Sequence, residues 1–168
     1  MKPDIIGISK QLGGGYPISA TLFREDLMSP KFMRELHWQA FSASGTPMSC
    51  AVGSTVIDII LDEKVPEQAE SKGKIMTEKL KKLQEKHPYI GDVRGPGLFI
   101  GVELVRNRTT KEKASQETTK VMRSSVENGV VFGQSLRDGL GNVVKIKPPV
   151  VISHEQIDQV VSVLDNAL

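Results

Sequence analysis

At 168 residues, 39% hydrophobic and 25% charged, the chain can bury one ordinary core, or two small lobes sharing one, and its composition is that of a globular protein with no disorder indicated. A net charge of +2 on a mixed background supplies no strong field for nucleic acid or an acidic membrane, so neither partner is expected. The one cysteine, Cys50, excludes an internal disulfide, three scattered histidines leave no zinc pattern, and no apolar run is long enough to cross a bilayer.

Met1 opens directly onto an apolar stretch, Ile5 to Ile8, with no signal-peptide pattern. A buried parallel strand is expected there, and such a strand needs neighbours, none of which precede it. After the strand come Ser9 and Lys10, three glycines, Tyr16-Pro17 and a second apolar run. Gly13, Gly14 and Gly15 allow backbone conformations closed to other residues and let a ligand come close. A lysine at the end of a buried strand loses solvation of its charged form, which frees a nucleophilic amine for Schiff-base chemistry. From these residues alone, a surface lysine beside a glycine turn is the plainer reading. A P-loop is excluded, because its lysine follows the glycines and precedes Ser or Thr.

Thr21 to Phe23 finish a strand, and Arg24-Glu25-Asp26 open a polar turn or short helix. The stretch HWQAFSASGTPMSCA reads as a loop running into a helix, with Thr46 as N-cap, Pro47 in the first turn, and Met48, Val52, Val56, Ile59 and Ile60 on one face. A helix start preceded by Ser42, Ser44, Gly45 and Thr46 offers N–H groups and hydroxyls suited to a phosphate, and is equally the start of a simple capped core helix.

Val65 to His87 is a long helix with Ala69, Met76, Leu80 and Leu83 on one face and a lysine-rich, solvated end. His87-Pro88 stops it. Val93, Leu98, Ile100, Val102 and Leu104 then alternate as strands with one covered face, interrupted by Arg94 and the bends Gly95-Pro96-Gly97. Arginine's planar fork pairs with a carboxylate in two hydrogen bonds, and taken alone a neighbouring Asp or Glu is its expected partner. Residues 106–114 form a polar surface excursion. Ser115 to Asn128 reads as a helix with Thr119, Met122 and Val126 inward and Asn128-Gly129 as a left-handed cap. A short strand is expected at Val130 to Phe132, a turn at Gly139 to Asn142, and a last strand ending at Pro148-Pro149. Ser153 with Gln156 makes a capping box for a closing helix whose inner face is Ile157, Val160, Val161 and Leu164.

Three of these stretches together resemble the class III (omega) aminotransferases, which bind pyridoxal 5'-phosphate. They are Pro3-Asp4-Ile5 leading to Ser9-Lys10 with Gly13, Gly15, Pro17 and Ala20; the Ser42 to Pro47 loop; and Asp92 to Leu98, DVRGPGL. Ala43 stands where that family has an aromatic residue and Thr46 where it has Asn or His. The resemblance implies an α/β protein, the C-terminal portion of a fold-type I pyridoxal-phosphate transferase. Residues 1–64 would be the remnant of the large cofactor-binding domain and 65–168 the small α+β domain. It implies Lys10 as catalytic residue and covalent anchor of the cofactor, Ser42 reaching the cofactor phosphate of a partner subunit in a homodimer, and Arg94 on the substrate carboxylate. An amino donor and a keto-acid or aldehyde acceptor would be the substrates, and no metal is implied. The stretches GDVRGPGLFIGVELVRNRTTKEKA and LGNVVKIKPP also resemble 2,2-dialkylglycine decarboxylase, a decarboxylating transaminase. The family's acidic residue on the pyridine nitrogen, its ring-stacking aromatic and its main phosphate-binding turn lie upstream of this chain, so a non-catalytic fragment or assembly module is the alternative. A cytoplasmic location is expected, with a mitochondrial one left open by any missing upstream targeting segment.

Overall fold

The computed structural model describes residues 2–35, 42–135 and 140–168, and the chain divides into two units, Met1–Lys64 and Val65–Leu168. Among the described residues no helix is long and apolar enough to cross a membrane.

In the first unit, strand β1 (Ile5–Ile8) pairs antiparallel with β2 (Ala20–Phe23), Ile5 opposite Phe23 and Ile8 opposite Ala20. The connection winds into a 3₁₀ turn (Lys10–Gly13) closed by Gly14 in the left-handed region, φ 54°. Among the described residues β1 pairs with β2 alone, antiparallel, and every residue of β1 is exposed, so this chain does not itself supply the parallel neighbour and the cover expected for the strand. The run Ile-Ile-Gly-Ile has the apolarity of a strand covered on both faces, but a two-stranded ribbon covers neither. After a short helix, α1 (Pro30–Glu35), comes α2 (Pro47–Asp62), which starts with Pro47 in its first turn and Thr46 at the N-cap. The Thr46 hydroxyl does not cap the helix; it donates to Ser49 Oγ at 2.8 Å. Of the expected apolar face, Val52, Val56 and Ile60 are half-buried while Met48 and Ile59 are exposed. The tightest packing of α2 is at Gly53, where a Cβ would meet Ile18 Cδ1 at 3.0 Å and the Leu12 carbonyl oxygen at 3.9 Å. The beginning of the loop expected before α2, residues 37–41, lies outside the described residues, as does Gly139 of the expected turn.

The second unit holds the core. Its sheet is antiparallel, in the order β3 (Ile90–Arg94), β4 (Ile100–Leu104), β6 (Val143–Ile146), β5 (Gly133–Gln134). Helices α3 (Val65–Lys86), α4 (Ser115–Glu127) and α5 (His154–Ala167) join one face of it into a single apolar cluster. Ile100, Val102 and Leu104 face that cluster with Val144 and Ile146, alternating along each strand, so Gly101, Glu103 and Lys145 lie on the other, open face. Met76, Leu80 and Leu83 of α3 and Ile157 and Leu164 of α5 complete the cluster at the expected helical spacing. The Ser153–Gln156 capping box is formed, with Gln156 N–H donating to Ser153 Oγ and Ser153 N–H to Gln156 Oε1.

Two expectations move by a few residues. Helix α4 buries Thr118, Val121 and Ser125, with Met122 packed against the core, and leaves Val126 exposed, so the inward face is rotated by one position from Thr119–Met122–Val126. The two hydroxyls tolerate burial because each donates inside its own helix, Thr118 Oγ1 to Ala114 O at 2.8 Å and Ser125 Oγ to Met122 O at 2.9 Å. The strand expected at Val130 to Phe132 begins instead at Gly133, since Phe132 turns into the core and Val131 outward. The left-handed end of α4 is as expected, with Gly129 at φ 78° and Val130 N–H returning to Ser125 O.

Candidate active site

Lys10 opens the 3₁₀ turn in a left-handed conformation, φ 57°. That region is costly for a residue with a Cβ, and such strain persists where the surroundings impose it. Its side chain lines a broad recess of about 1300 Å³ within the first unit. Ser9, Tyr16, Ser19, Thr21, Ser44 and Ser49 line it together with Pro17, Ile18 and Phe23. Ala43, Ser44 and Gly45 reach it from the turn before α2, so the structure brings Lys10 and the 42–47 loop to one place. Ser42 itself is exposed and does not line the recess. Nor does Lys10 stand at the end of a covered strand, because β1 is open on both faces.

Arg94 belongs to the second unit. It is the last residue of β3, opposite Gly101 of β4. A bulge between Ile90 and Asp92 decides which face it occupies: Ile90 and Val93 both point into the core, so the extra residue at Gly91 turns Asp92 and Arg94 outward together. The Arg94 guanidinium, about half exposed, uses Nη1 for both of its ion pairs, to Asp92 Oδ2 at 2.7 Å and Glu103 Oε2 at 2.8 Å. Those carboxylates, Asp92 first and then Glu103, hold its pKa above the ordinary arginine value. Neighbouring acids are thus partners of Arg94, as its residue type alone suggests. Among the described residues the Nε–Nη2 edge donates to no other group.

The loop that follows Arg94 is set by glycines. Gly95 has φ 141° and Gly97 φ 50°, both in the region that side chains avoid. A Cβ on Gly73 of α3 would overlap the Gly97 backbone, so helix and loop meet main chain to main chain there. Sequence reasoning missed Gly73, although a glycine inside a strong helical pattern costs about 1 kcal/mol relative to alanine and so marks a packing need. It also missed Glu103 and Asn142, whose side chains meet behind Arg94. Arg108, read as part of a surface excursion, folds back to donate to the carbonyls of Gln84, His87 and Ile90.

Comparison with known proteins places these features. The family model "Aminotransferase class-III" matches residues 1–168. The chain is 38% identical to the leucine/methionine racemase of Thermococcus litoralis over all of its own length and 36% of that protein's. It is 36% identical to the mitochondrial alanine–glyoxylate aminotransferase 2 homolog 2 of Arabidopsis thaliana, covering 99% of this chain and 34% of that one. Among solved structures, a transaminase with L-alanine superposes with a TM-score of 0.86 at 35% identity, over 99% of this chain and 40% of that one. A transaminase from the marine bacterium Virgibacillus gives 0.88 at 28% identity, over 99% and 39%. The chain therefore spans about a third of the length of the curated relatives it matches. The architecture is that of the α/β fold-type I pyridoxal-phosphate transferases, and the chain belongs to the class III aminotransferase family.

Proposed function

We propose that this chain is the C-terminal part of a pyridoxal-phosphate-dependent transaminase that moves an amino group between an amino acid or amine and a keto acid or aldehyde. Residues 1–64 are then the end of its large cofactor-binding domain and 65–168 its small domain. Lys10 carries the reading: a strained lysine at the mouth of a turn, lining a recess with hydroxyl-bearing residues. When bound, the cofactor supplies an aldehyde and an electron-withdrawing ring. The residues suit it chemically, since Lys10 would offer an amine to the aldehyde and the hydroxyl-bearing residues Ser44 and Ser49 line the recess at the start of α2. The first-turn N–H groups of that helix have no side-chain cap and favour an anion. Lys10 would also be the basic group that holds and returns the proton moved during transfer. Arg94 fixes the substrate carboxylate through the Nε–Nη2 edge of its guanidinium. Ser42, exposed and not among the residues lining the recess of its own chain, serves the phosphate of a second subunit in a homodimer.

The test is borohydride reduction of the longer protein after exposure to pyridoxal phosphate, followed by peptide mapping. Label at Lys10 in preference to the other lysines supports the reading. Label spread over surface lysines, or unchanged in Lys10→Ala, overturns it. A second reading, amino-acid racemisation on the same residues, is favoured by relatives named leucine/methionine racemase and isoleucine 2-epimerase. In the longer protein, loss of optical activity without keto-acid formation distinguishes it from transamination. The decarboxylating alternative, 2,2-dialkylglycine decarboxylase chemistry, is separated by carbon dioxide release from 2-aminoisobutyrate.

A further inference from the structure

The surroundings of Arg94 contain an asymmetry that the carboxylate-binding reading does not use. On the open face of the sheet, Arg94 is opposite Gly101, and Asp92 is opposite Glu103. With no side chain at Gly101, the guanidinium can lie along the strand pair and reach Glu103 diagonally. Asp92 and Glu103 both take the same nitrogen, Nη1, but they are held very differently. Glu103 Oε1 accepts from Asn142 Nδ2 at 3.4 Å, and Asn142 is itself buried and locked to β4, with Nδ2 donating to Leu104 O at 2.9 Å and its own carbonyl accepting Leu104 N–H at 2.7 Å. Asp92 has no second side-chain partner among the described residues and is the more exposed of the two, 47% against 29%.

We propose that Glu103 is the positioning residue of the carboxylate site: anchored by Asn142, it grips one nitrogen of the Arg94 guanidinium and thereby presents the opposite Nε–Nη2 edge to an incoming carboxylate. The proposal rests on the reading of Arg94 as that site. An arginine side chain has many rotamers, and fixing its fork beforehand removes an ordering cost from every binding event. Removing a negative charge beside Arg94 strengthens its Coulomb attraction for a carboxylate, so if Glu103 acted only through its charge, neutralising it would tighten binding. If Glu103 positions the fork, neutralising it loosens binding.

The experiment uses the 168-residue chain labelled with ¹⁵N, the Arg94 Nε–Hε signal assigned by its loss in Arg94→Lys, and propionate as the probe. Glu103→Gln keeps the shape and the acceptor for Asn142. It is expected to weaken propionate binding roughly threefold to tenfold and to increase the mobility of the Nε–Hε signal, with an unchanged melting curve. Asp92→Asn is expected to change binding less than about twofold. Glu103→Asp, which keeps the charge but withdraws it by one methylene, is expected to shift both readouts in the same direction as Glu103→Gln and guards against a folding defect in either variant. A wild-type signal silent to propionate overturns the carboxylate reading of Arg94 and the proposal with it. A responsive wild type, with equal or tighter binding or unchanged Nε–Hε mobility in Glu103→Gln, overturns the positioning role alone.

Discussion

Gly73 shows how one missing methyl sets the place of a functional loop. It lies in the middle of α3, where an exposed glycine would gain about 1 kcal/mol on replacement by alanine. Here the added carbon would overlap the carbonyl of Gly97, which cannot yield without moving the loop after Arg94. Backbone is the obstacle, not the tip of a flexible side chain, so the overpacking cost outweighs the helix gain. Gly73→Ala is expected to destabilise the chain by about 1–3 kcal/mol in urea unfolding, and to shift the amide signals of residues 95–99. A neutral or stabilising result would show that α3 and the loop separate at little cost. The same scale explains why Arg94 was readable and its supports were not. The run Asp92 to Leu98 carries its arginine and glycines in one contiguous stretch, whereas Glu103 and Asn142 come from separate strands and meet Arg94 only through the register of the sheet.

At the level of elements, α3 and α5 were legible because their apolar positions repeat at helical spacing and their ends carry recognisable stops. Helix α4 was legible in extent but not in rotation. Hydropathy favours Val126 over Ser125, while the fold can bury a serine whose hydroxyl is satisfied one turn back. The ribbon of β1 and β2 differs for a related reason, since its apolarity reports that the strands need cover and says nothing of which chain segment supplies it. How α3 and α5 are tied at their ends gives a pH prediction. Asp165 accepts from Lys86 Nζ at 2.6 Å and contacts His87 Nε2 at 2.5 Å, and these groups, Lys86 first, hold its carboxyl below the ordinary value of 3.8. A carboxylate depressed in the folded state contributes stability that is fully present above the unfolded value and is lost as pH falls through the folded one. Asp165→Asn is therefore expected to lower stability near neutrality by less than about 1 kcal/mol, and to flatten the acid limb of a stability–pH curve below pH 3.8. An acid limb unchanged in the variant would remove Asp165 from the account. Arg108 closes the C-terminal end of α3 by donating to the carbonyls of Gln84 and His87. Its replacement by alanine is expected to cost about 0.5–1.5 kcal/mol in the same assay.

Taken whole, the molecule distributes its burial unevenly. Every buried hydrophobic residue among the described ones lies between Met76 and Leu164, in the second unit. Among the described residues of the first unit the buried positions are Gly13 and Gly53, while Ile5, Ile6, Leu22, Phe23, Ile57 and Ile59 are all exposed. Apolar burial contributes roughly 25 cal/mol per Å² of surface removed from water, so a segment that buries little of its own apolar surface gains little to offset the entropy of ordering its backbone. Helix α2 keeps its internal hydrogen bonds, but a sixteen-residue helix is only marginal in water when packing does not support it. Opening of the first unit should therefore be cheap and separate from global unfolding. Native-state hydrogen exchange of the 168-residue chain is expected to show amides of β1, β2 and α2 exchanging at least tenfold faster than those of β4, β6 and the centre of α3. Urea should shift the protection of the second group alone along the global transition. Equal protection of α2 and β4 would mean that the exposed isoleucines and Phe23 are covered in solution, and a concentration series would then show whether a second copy of the chain supplies the cover. Faster exchange that does not depend on concentration would instead place the stability of the chain in residues 65–168.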